Sequence, residues 1–427
     1  MAMQLTAEQR EILDGARGET MAKVMKTLVM YGETFGAEKM VPVTGRMGHL
    51  VTSFGLGVMT PVYELMDRLI ADGAVSGQKF TVDPRPLDKN VPSDPIKNLV
   101  FNKFMYTKQK SYDEQLKKLG LCDESAYTCT CYLDEIGNRP NEGEVLSWAE
   151  SSAVVYANSV LGARCNRNSG IIELFGSIVG FVPYFGLLTD EGRRATWVVE
   201  VRTSKLPEAQ ILGSAIGMKV MEDVPYIKGL SPMLGNSLTD DVCAYLKDFG
   251  AATASNGAVG LYHIEGLTPE AVRQGDTLIA DGAQTYVIDD AELERVRASY
   301  PVMWKDPSAE PKLCFIGCPH LTLSQLRDWT HRISEGLTKT GRDRVRVKTV
   351  LTAAPAVVKE FEKLPDAEVL RRTGAVLSYI CPLMYMNNPL AGKMPVITNS
   401  NKLRTYTTAR YYPSDEILAI VTGGDRA

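Results

Sequence analysis

Apolar residues recur at helical spacing in several stretches of the chain, and polar caps mark where these helices begin. Thr6 to Gln9 has the pattern of a capping box, and an apolar stripe runs from Met21 to Gly32. A further helix is predicted from Pro61 to Ala71. Between Lys79 and Pro95, several prolines without periodicity predict a connecting loop, and loops of that length often carry function.

The stretch from Ser147 to Arg167 combines a predicted helix with a dense polar segment. Ser147 can cap the first turn while Glu150 reaches back to complete a capping box, and Gly162 ends the helix. The segment that follows holds two guanidinium groups, a thiol and an amide: Arg164, Cys165, Asn166 and Arg167. Guanidinium pairs bidentately with carboxylate or phosphate, so this segment is a candidate anion site. The alternative is an ordinary helix with a solvated basic tail.

Strands are predicted where β-branched and aromatic residues cluster. Ala126 to Leu133 is one such run, and it contains Cys129. Thr196 to Val201 and Val259 to Ile264 are two more, with a helix from Pro207 to Met221 between them. These elements indicate an α/β arrangement in this part of the chain.

A proline-containing, charged stretch at residues 301–312 predicts a linker between an N-terminal region, 1–300, and a C-terminal domain, 313–427. Beyond it the predicted strands are Leu313–Ile316, Val345–Leu351 and Ala375–Ile380. The predicted helices between them are Ser324–Glu335, Val357–Phe361 and Ala367–Arg372. Alternation of this kind predicts a parallel sheet, so the fold class is α/β.

The composition of the 427 residues excludes several classes of function. A net charge of -4 leaves no basic surface for the phosphate backbone of a nucleic acid. No apolar run reaches membrane-spanning length and no signal peptide is recognisable, so we expect a cytoplasmic protein that binds no membrane. In that compartment the eight cysteines are expected to be thiols, metal ligands or catalytic groups rather than a disulfide framework.

Two cysteines share one local setting that suits ligand binding. Cys318 and Cys381 each follow an apolar strand and precede a proline, and ligands of open α/β sheets bind at the carboxyl ends of strands. With Cys129 as a third thiolate, the set suits an iron-sulfur cluster that leaves one iron open. Three alternatives remain: buried structural thiols, a closed zinc site completed by His320, and a nucleophilic Cys165 whose pKa the neighbouring arginines lower.

Several motifs together resemble the large subunit of aconitase X. They are Trp148–Ala153, Ala157–Ser159, Gly162–Arg164, Gly317–His320 and Thr398–Ser400. The likeness extends over most of the chain. It implies an aconitase-like multidomain α/β fold with mainly parallel sheets, without the small swivelling domain that closes the active site in this family.

The resemblance also implies the cofactor and the roles of individual residues. Cys129, Cys318 and Cys381 would ligate an iron-sulfur cluster, with 4Fe-4S ranked ahead of 3Fe-4S and 2Fe-2S, and the open iron would act as a Lewis acid on the substrate hydroxyl. Candidates for the catalytic acid are His49, Glu150 and His320. Candidates for substrate binding are Ser53, Arg164, Cys165, Asn166, Arg167 and Ser400.

The predicted function is that of a hydro-lyase large subunit. It would eliminate water from a small hydroxylated carboxylate such as cis-3-hydroxy-L-proline, with 5-phosphomevalonate as the alternative, since paired arginines suit carboxylate and phosphate equally. A small swivelling subunit would supply a serine as base, so the chain alone is expected to be inactive. Cys131 and Cys165 depart from the family pattern, which has proline and threonine there. A non-catalytic scaffold is the rival outside enzymology.

Overall fold

The N-terminal part of the protein is mainly helical, with two short sheets. The structure, a computed structural model, describes residues 3–88, 90–91, 95–388 and 390–424. The helices of this part are α1 (Ala7–Leu13), α2 (Glu19–Thr34), α3 (Thr60–Ala71), α4 (Pro95–Val100), α5 (Gln109–Leu119), α6 (Ser151–Ser159) and α7 (Gly170–Val179). Its strands are β1 (Met40–Pro42), β2 (Gly48–Leu50), β3 (Phe80–Val82) and β4 (Phe181–Pro183). β1 pairs antiparallel with β4, and β2 pairs parallel with β3.

The capping signals at the start of the chain are confirmed. The Thr6 side chain accepts from the backbone of Gln9 and the Gln9 side chain from the backbone of Thr6, which completes the predicted capping box of α1. α2 and α3 cover the two other predicted helices, and each begins or ends within two residues of its predicted bounds. The cap of α1 is therefore readable from the sequence.

The strand predicted from Ala126 to Leu133 is wrong. The segment holds a 3-10 helix at Glu124–Ala126 and then turns, and only Tyr127 forms an isolated bridge, to Val82. The Thr128 hydroxyl accepts from the backbone N–H of Thr130 at 3.0 Å, which offers the backbone a local partner in place of a ladder. Cys129 therefore lies in a turn rather than along a strand.

The predicted capping box at Ser147 is also wrong. α6 begins at Ser151, and its N-cap is Glu150, whose carboxylate accepts from the N–H of Ala153 at 2.7 Å. Ser147 lies in extended chain and its hydroxyl instead lies 2.7 Å from the backbone oxygen of Glu173. The helix is buried on all sides rather than along one stripe, so the side chain of Glu150 is held inside the protein.

A four-stranded parallel sheet forms the middle of the chain. Its strands are β5 (Ala195–Val201), β6 (Pro225–Lys228), β7 (His263–Ile264) and β8 (Ile279–Ile288), in the order β7-β6-β5-β8. The helices around it are α8 (Ala209–Val220), α9 (Ser231–Leu234), α10 (Asp240–Asn256), α11 (Pro269–Gln274) and α12 (Asp290–Ala298). The strand predicted from Val259 is shorter than expected, because only its last two residues pair with β6.

A five-stranded parallel sheet forms the C-terminal part. Its strands are β9 (Leu313–Leu321), β10 (Lys348–Ala353), β11 (Val376–Ser378), β12 (Val396–Thr398) and β13 (Arg410–Tyr411), in the order β11-β10-β9-β12-β13. Its helices are α13 (Leu323–Thr340), α14 (Pro355–Phe361), α15 (Asp366–Thr373), α16 (Pro382–Met386), α17 (Asn401–Tyr406) and α18 (Ser414–Thr422). The predicted α/β class with mainly parallel sheets is confirmed, whereas the domain boundary at 301–312 stays a prediction.

The central strand β9 bends before it reaches Cys318. Its register with β10 shifts between Leu351 and Ala353, and Gly317 has a φ of 105°. A Cβ atom at Gly317 would lie 2.4 Å from the carbonyl oxygen of Thr352, so only glycine allows β10 to approach here. In the described part of the chain, no helix is both long and apolar enough to cross a membrane.

Candidate active site

A cavity of about 110 Å³ is lined by residues of β9, α16 and α17 and by N-terminal residues that lie outside the helices. Both halves of the chain contribute to its wall. Its polar and ionisable lining residues are Asp83, Cys129, Glu150, Cys318, His320, Cys381 and Lys402. Residues more than 300 positions apart in the sequence therefore share one small enclosed space, which is the arrangement expected of a ligand or cofactor site.

Three free thiols reach this cavity from three separate elements. Cys129 comes from the turn after the 3-10 helix, Cys318 from β9, and Cys381 from the N-cap position of α16. The backbone N–H of His320 donates to the sulfur of Cys129 at 3.4 Å. Burial raises the pKa of all three thiols, so they are protonated in the chain by itself. A metal centre bound here has to displace those protons.

The donor set fits an iron-sulfur cluster, whose usual ligands are cysteine thiolates. The cavity wall also carries the Asp83 Oδ1 atom, which is buried and makes no hydrogen bond within the described residues. Over those same residues, no group of three or more His, Cys, Asp or Glu side chains is arranged to hold a single metal ion.

His320 does not fit the zinc alternative. Its Nε2 lies 3.0 Å from the carbonyl oxygen of Ile380 and its Nδ1 lies 3.2 Å from the hydroxyl of Thr128. A carbonyl only accepts, so Nε2 carries the proton and Nδ1 accepts from Thr128. Burial lowers the pKa of His320 to about 4, which keeps the ring neutral. With no free lone pair, the ring ties the Cys129 turn to the Cys381 segment instead of binding a metal.

Glu150 forms a buried ion pair with Lys402. The Lys402 Nζ contacts the Glu150 Oε1 atom and lies 3.4 Å from the Ser152 hydroxyl. Glu150 Oε2 accepts from the Ser152 hydroxyl at 2.6 Å and from the N–H of Ala153 at 2.7 Å. Burial opposes ionisation of Glu150, but the charge of Lys402 and these hydrogen bonds outweigh it and lower its pKa. Glu150 is therefore an ionised carboxylate at the cavity wall.

Asp83 and His49 form a second pair beside the cavity. His49 is fully buried, and its Nε2 lies 3.6 Å from Asp83 Oδ1. Its Nδ1 lies 2.8 Å from the Thr81 hydroxyl, which also accepts from the Asn138 amide at 2.9 Å. The Thr81 hydroxyl also lies 3.3 Å from the Gly48 carbonyl oxygen, which accepts from the same amide at 3.0 Å, so Thr81 links His49 to the backbone of β2. Burial raises the pKa of Asp83, which favours its protonated form.

The polar segment after α6 does not line the cavity, and most of its groups hold the chain together. Arg164 donates to the Leu188 carbonyl at 2.7 Å and pairs with Asp190. The Asn166 side chain donates to the carbonyl of Phe185 at 3.0 Å and accepts from the N–H of Leu187 at 2.8 Å. Both side chains thus connect residues 185–190 to the segment that follows α6.

The alternative of a nucleophilic thiol at Cys165 does not fit the structure. Cys165 is fully buried, and its sulfur lies 3.3 Å from the carbonyl oxygen of Asn166. Burial raises its pKa well above the ordinary thiol value, and the expected lowering by Arg164 and Arg167 does not occur. A protonated thiol with no access to solvent cannot attack a substrate.

Arg167 differs from its neighbours in the same segment. It makes one long hydrogen bond, 3.4 Å from Nη2 to the Ala254 carbonyl, and no carboxylate in the described part of the chain forms an ion pair with it. Burial lowers its pKa, and the nearby charge of Glu150 acts in the opposite direction. Arg167 is thus a half-buried cation on the Glu150 side of the molecule with spare donors.

The two predicted serines lie next to the cavity rather than on its wall. Ser400 is the N-cap of α17, where it accepts from the N–H of Leu403 at 3.1 Å, and its hydroxyl donates to the carbonyl of Cys318. Ser53 is buried beside Phe54, which lines the cavity. Ser400 therefore joins the helix that carries Lys402 to the strand that carries Cys318.

Sequence reasoning missed two ionisable residues of the cavity wall. Asp83 lies in the long segment from Lys79 to Pro95 that was expected to carry function, immediately after β3. Lys402 lies two residues beyond the Thr398–Ser400 motif, in the first turn of the helix that Ser400 caps. In both cases the neighbouring segment was the sequence signal that could have pointed to the residue, because the identity of a single residue does not reveal that it is buried.

Comparisons with known proteins decide the family. The profile of the aconitase X first domain matches residues 2–191, and the profile of the aconitase X second domain matches residues 195–298. These matches cover more than half of the chain. The chain belongs to the aconitase X family.

Known proteins are similar to this chain over most of its length. The phosphomevalonate dehydratase large subunit of Thermococcus kodakarensis is 32% identical over 95% of each chain. The cis-3-hydroxy-L-proline dehydratase of Hypocrea jecorina is 26% identical over 96% of this chain and 67% of its own length. The holo-form crystal structure of Thermococcus kodakaraensis aconitase X superposes with a TM-score of 0.80, at 29% identity, over 98% of this chain and 100% of that one. The predicted relationship to the large subunit is confirmed.

Proposed function

We propose that this chain is the large subunit of an iron-sulfur hydro-lyase that removes water from a small hydroxylated carboxylate. The observation that carries the proposal is the cavity, where three thiols, the Glu150 carboxylate and the Asp83 carboxyl group, whose pKa is raised by burial, meet. Relatives with the same family domains are named as dehydratases. Elimination of water requires an activated hydroxyl, a proton donor and a base, and the cavity offers chemistry for the first two.

Cys129, Cys318 and Cys381 would hold the cluster, because they are the cysteines of the described residues that line the cavity. When bound, the cluster would supply a Lewis acid that polarises the substrate hydroxyl. His320 would serve as a positioning residue, since its ring joins the turn of Cys129 to the segment of Cys381. The neutral ring, whose only proton is held by a carbonyl, is a poor proton donor.

Asp83 is the best candidate for the proton donor to the leaving hydroxide. It lines the cavity, and its raised pKa favours the protonated form that an acid needs. His49 would act as a positioning residue for this carboxyl group, since its buried Nε2 lies 3.6 Å from Asp83 Oδ1. Glu150 is ionised and would act as a hydrogen-bond acceptor for the substrate rather than as an acid.

Arg167 is the candidate for binding the anionic group of the substrate. Its guanidinium has no carboxylate partner in the described part of the chain, whereas that of Arg164 is committed to Asp190. The base that removes the carbon-bound proton would come from a small subunit, as a serine, in line with the resemblance. The relatives' names as large subunits support a heteromer.

Two substrates are candidates, and each is the substrate named for a protein similar to this chain. The large subunit named for phosphomevalonate matches this chain over 95% of both lengths. The enzyme named for cis-3-hydroxy-L-proline matches 96% of this chain but only 67% of its own length. Both are small hydroxylated carboxylates, so the same elimination serves either one.

The first test is the cluster itself. We would purify the chain without oxygen, reconstitute it with iron and sulfide, and measure iron, sulfide and visible absorption for the wild type, Cys129→Ser, Cys318→Ser and Cys381→Ser. Cys314→Ser is the matched control, since Cys314 is fully buried in the same strand as Cys318 but does not line the cavity. We expect the three variants to lose the cluster and the control to keep it.

The second test is turnover. The reconstituted chain, alone and mixed with its small subunit, would be assayed for dehydration of 5-phosphomevalonate and of cis-3-hydroxy-L-proline. We expect turnover of one of them by the mixture and none by the chain alone. A wild-type chain that takes up no iron and sulfide, or a mixture that dehydrates neither compound, contradicts the proposal.

A further inference from the structure

The charges around the cavity are unbalanced. Its lining residues in the described part of the chain include two carboxyl groups, Asp83 and Glu150, and three thiols that become anionic when they bind metal. Against these groups stands one cation, since Lys402 is the only lysine or arginine among those lining residues. Charges in a buried site interact strongly because little water screens them, so the position of this ammonium matters for everything bound there.

The ammonium of Lys402 is fixed in place from both ends. Its helix, α17, is capped by Ser400, whose hydroxyl also donates to the carbonyl of Cys318. The neighbouring Asn401 side chain donates to the backbone of Gln210 at 2.7 Å, which attaches the helix to α8. At the far end, Glu150 holds Nζ. The position of the ammonium group is therefore fixed by the folded chain before any ligand binds.

Glu150 does not use all of the hydrogen-bonding capacity of Lys402. The carboxylate already accepts from the Ser152 hydroxyl and from the Ala153 N–H at the start of α6, a position where a helix stabilises negative charge. Burying an ammonium carries a desolvation cost that one ion pair often fails to recover. Of the three N–H donors of Lys402, one contacts Glu150 and one lies 3.4 Å from Ser152. The third has no partner among the described residues, on a side chain that lines the cavity.

We propose that Lys402 is the counter-charge of the metal centre, a positioning residue that favours binding of the anionic cluster and raises its reduction potential. This inference rests on the proposed function. A nearby cation stabilises the reduced, more negative state of a cluster, because the potential depends on the charges around it. Glu150 then has two effects of opposite sign: it holds the ammonium in place, and its own charge disfavours the reduced state.

The test measures cluster content and reduction potential rather than turnover. Wild type, Lys402→Met, Lys402→Arg and Glu150→Gln would be reconstituted without oxygen, and iron and sulfide would be counted per chain. Reductive titration, followed by visible absorption and electron paramagnetic resonance, gives the midpoint potential. In Lys402→Met we expect lower cluster content and a potential shifted downward by a tenfold change in the oxidised-to-reduced ratio, which is about 59 mV for one electron.

The sign of the shift separates an electrostatic role from a structural one. Lys402→Arg keeps the charge and should restore most of the potential, while Glu150→Gln should shift it upward. A general loss of structure would move both substitutions in the same direction. Potentials of Lys402→Met and Glu150→Gln equal to that of the wild type overturn this inference and leave the proposed function intact. A wild type without a cluster overturns both.

Discussion

Two buried ion pairs with the same chemistry have different surroundings in this protein. Arg193 and Glu270 are 1% and 5% exposed, and Lys402 and Glu150 are 12% and 4% exposed. The guanidinium of Arg193 donates to both oxygens of Glu270, to the side chain and the backbone of Asn158, and to the Leu187 carbonyl. These contacts use all five of its N–H donors.

The pair around Lys402 is incomplete by comparison. One N–H of the ammonium contacts Glu150, another lies at 3.4 Å from Ser152, and the third has no partner within the described residues. Of the two ion pairs, only Lys402 and Glu150 line the cavity that contains Cys129, Cys318 and Cys381. A buried charge whose donors are all satisfied stabilises the fold, whereas one with a spare donor at a cavity wall is available to a ligand. Counting donors thus separates the two roles where burial and pairing do not.

The largest expected effect is on stability, in Arg193→Met. The substitution leaves Glu270 buried without its partner, which costs about 3 to 5 kcal/mol for a pair of this kind. Lys402→Met should cost less, since Glu150 keeps its hydrogen bonds to Ser152 and Ala153. Denaturant unfolding of the two variants in the metal-free state measures the difference.

The control for that experiment is the neighbouring Arg194, which is partly exposed, lies 3.9 Å from the exposed Glu191 and donates to the Ile279 carbonyl at 3.2 Å. Its replacement by methionine should change the free energy of unfolding by about 1 kcal/mol or less, as for other exposed pairs. Equal destabilisation by Arg193→Met and Lys402→Met would remove the distinction between the two ion pairs.

The sequence predicted the fold better than it predicted the site. The capping box at Thr6, the apolar stripe of α2 and the alternation after residue 313 follow from local rules, and the structure confirms the elements they indicate, whereas the capping box predicted at Ser147 is wrong. The strand prediction from Ala126 to Leu133 failed because the Thr128 side chain accepts from the local backbone at Thr130, which composition does not reveal. The three cysteines of the cavity lie too far apart in the chain for any spacing rule, so the shared setting of Cys318 and Cys381 suggested the group and the family resemblance supported it.

The basic segment after α6 shows why chemistry read from a sequence can mislead. Arg164 and Asn166 have the composition of an anion site, but their partners lie about 20 residues later, at residues 185–190. Lys402 is an isolated lysine in a short helix, and only the fold shows that it is buried opposite Glu150. Function in this molecule depends on which donors remain free, and that is a tertiary property.

Glu173 is a buried carboxyl group that, unlike Glu150 and Glu270, forms no ion pair among the described residues. Burial raises the pKa of Glu173 to about 8. Its Oε2 lies 2.7 Å from the Ser147 hydroxyl, which is also 2.7 Å from the Glu173 carbonyl, so a protonated carboxyl can donate to Ser147 while Ser147 donates to the carbonyl. Asn168 donates to Oε1 at 2.6 Å. Glutamine reproduces these contacts without a titratable proton.

Glu173→Gln should therefore become more stable than the wild type as the pH rises. Between the ordinary pKa of 4.5 and about 8, the unfolded wild type has released a proton that the folded state keeps, so wild-type stability falls through this window and the loss is complete above it. Below the window both states are protonated and the variants should agree. We expect the difference in unfolding free energy to grow by about 2 kcal/mol between about pH 6 and about pH 7.5. A constant difference across this range would show that the carboxyl group is ionised.

The smallest expected effect compares a free arginine with a committed one. Arg167 has no ion pair in the described part of the chain, while Arg164 is held by Asp190 and the Leu188 carbonyl. In the reconstituted heteromer, Arg167→Gln should raise KM about tenfold, equivalent to about 1.4 kcal/mol of lost substrate binding. Arg164→Gln should leave KM within about twofold, because its pair with the exposed Asp190 contributes little. Equal effects of both substitutions, or a larger effect of Arg164→Gln, would indicate that the whole segment from Arg164 to Arg167 binds the anionic group of the substrate. That result would contradict the rule that unused hydrogen-bond donors mark the ligand site.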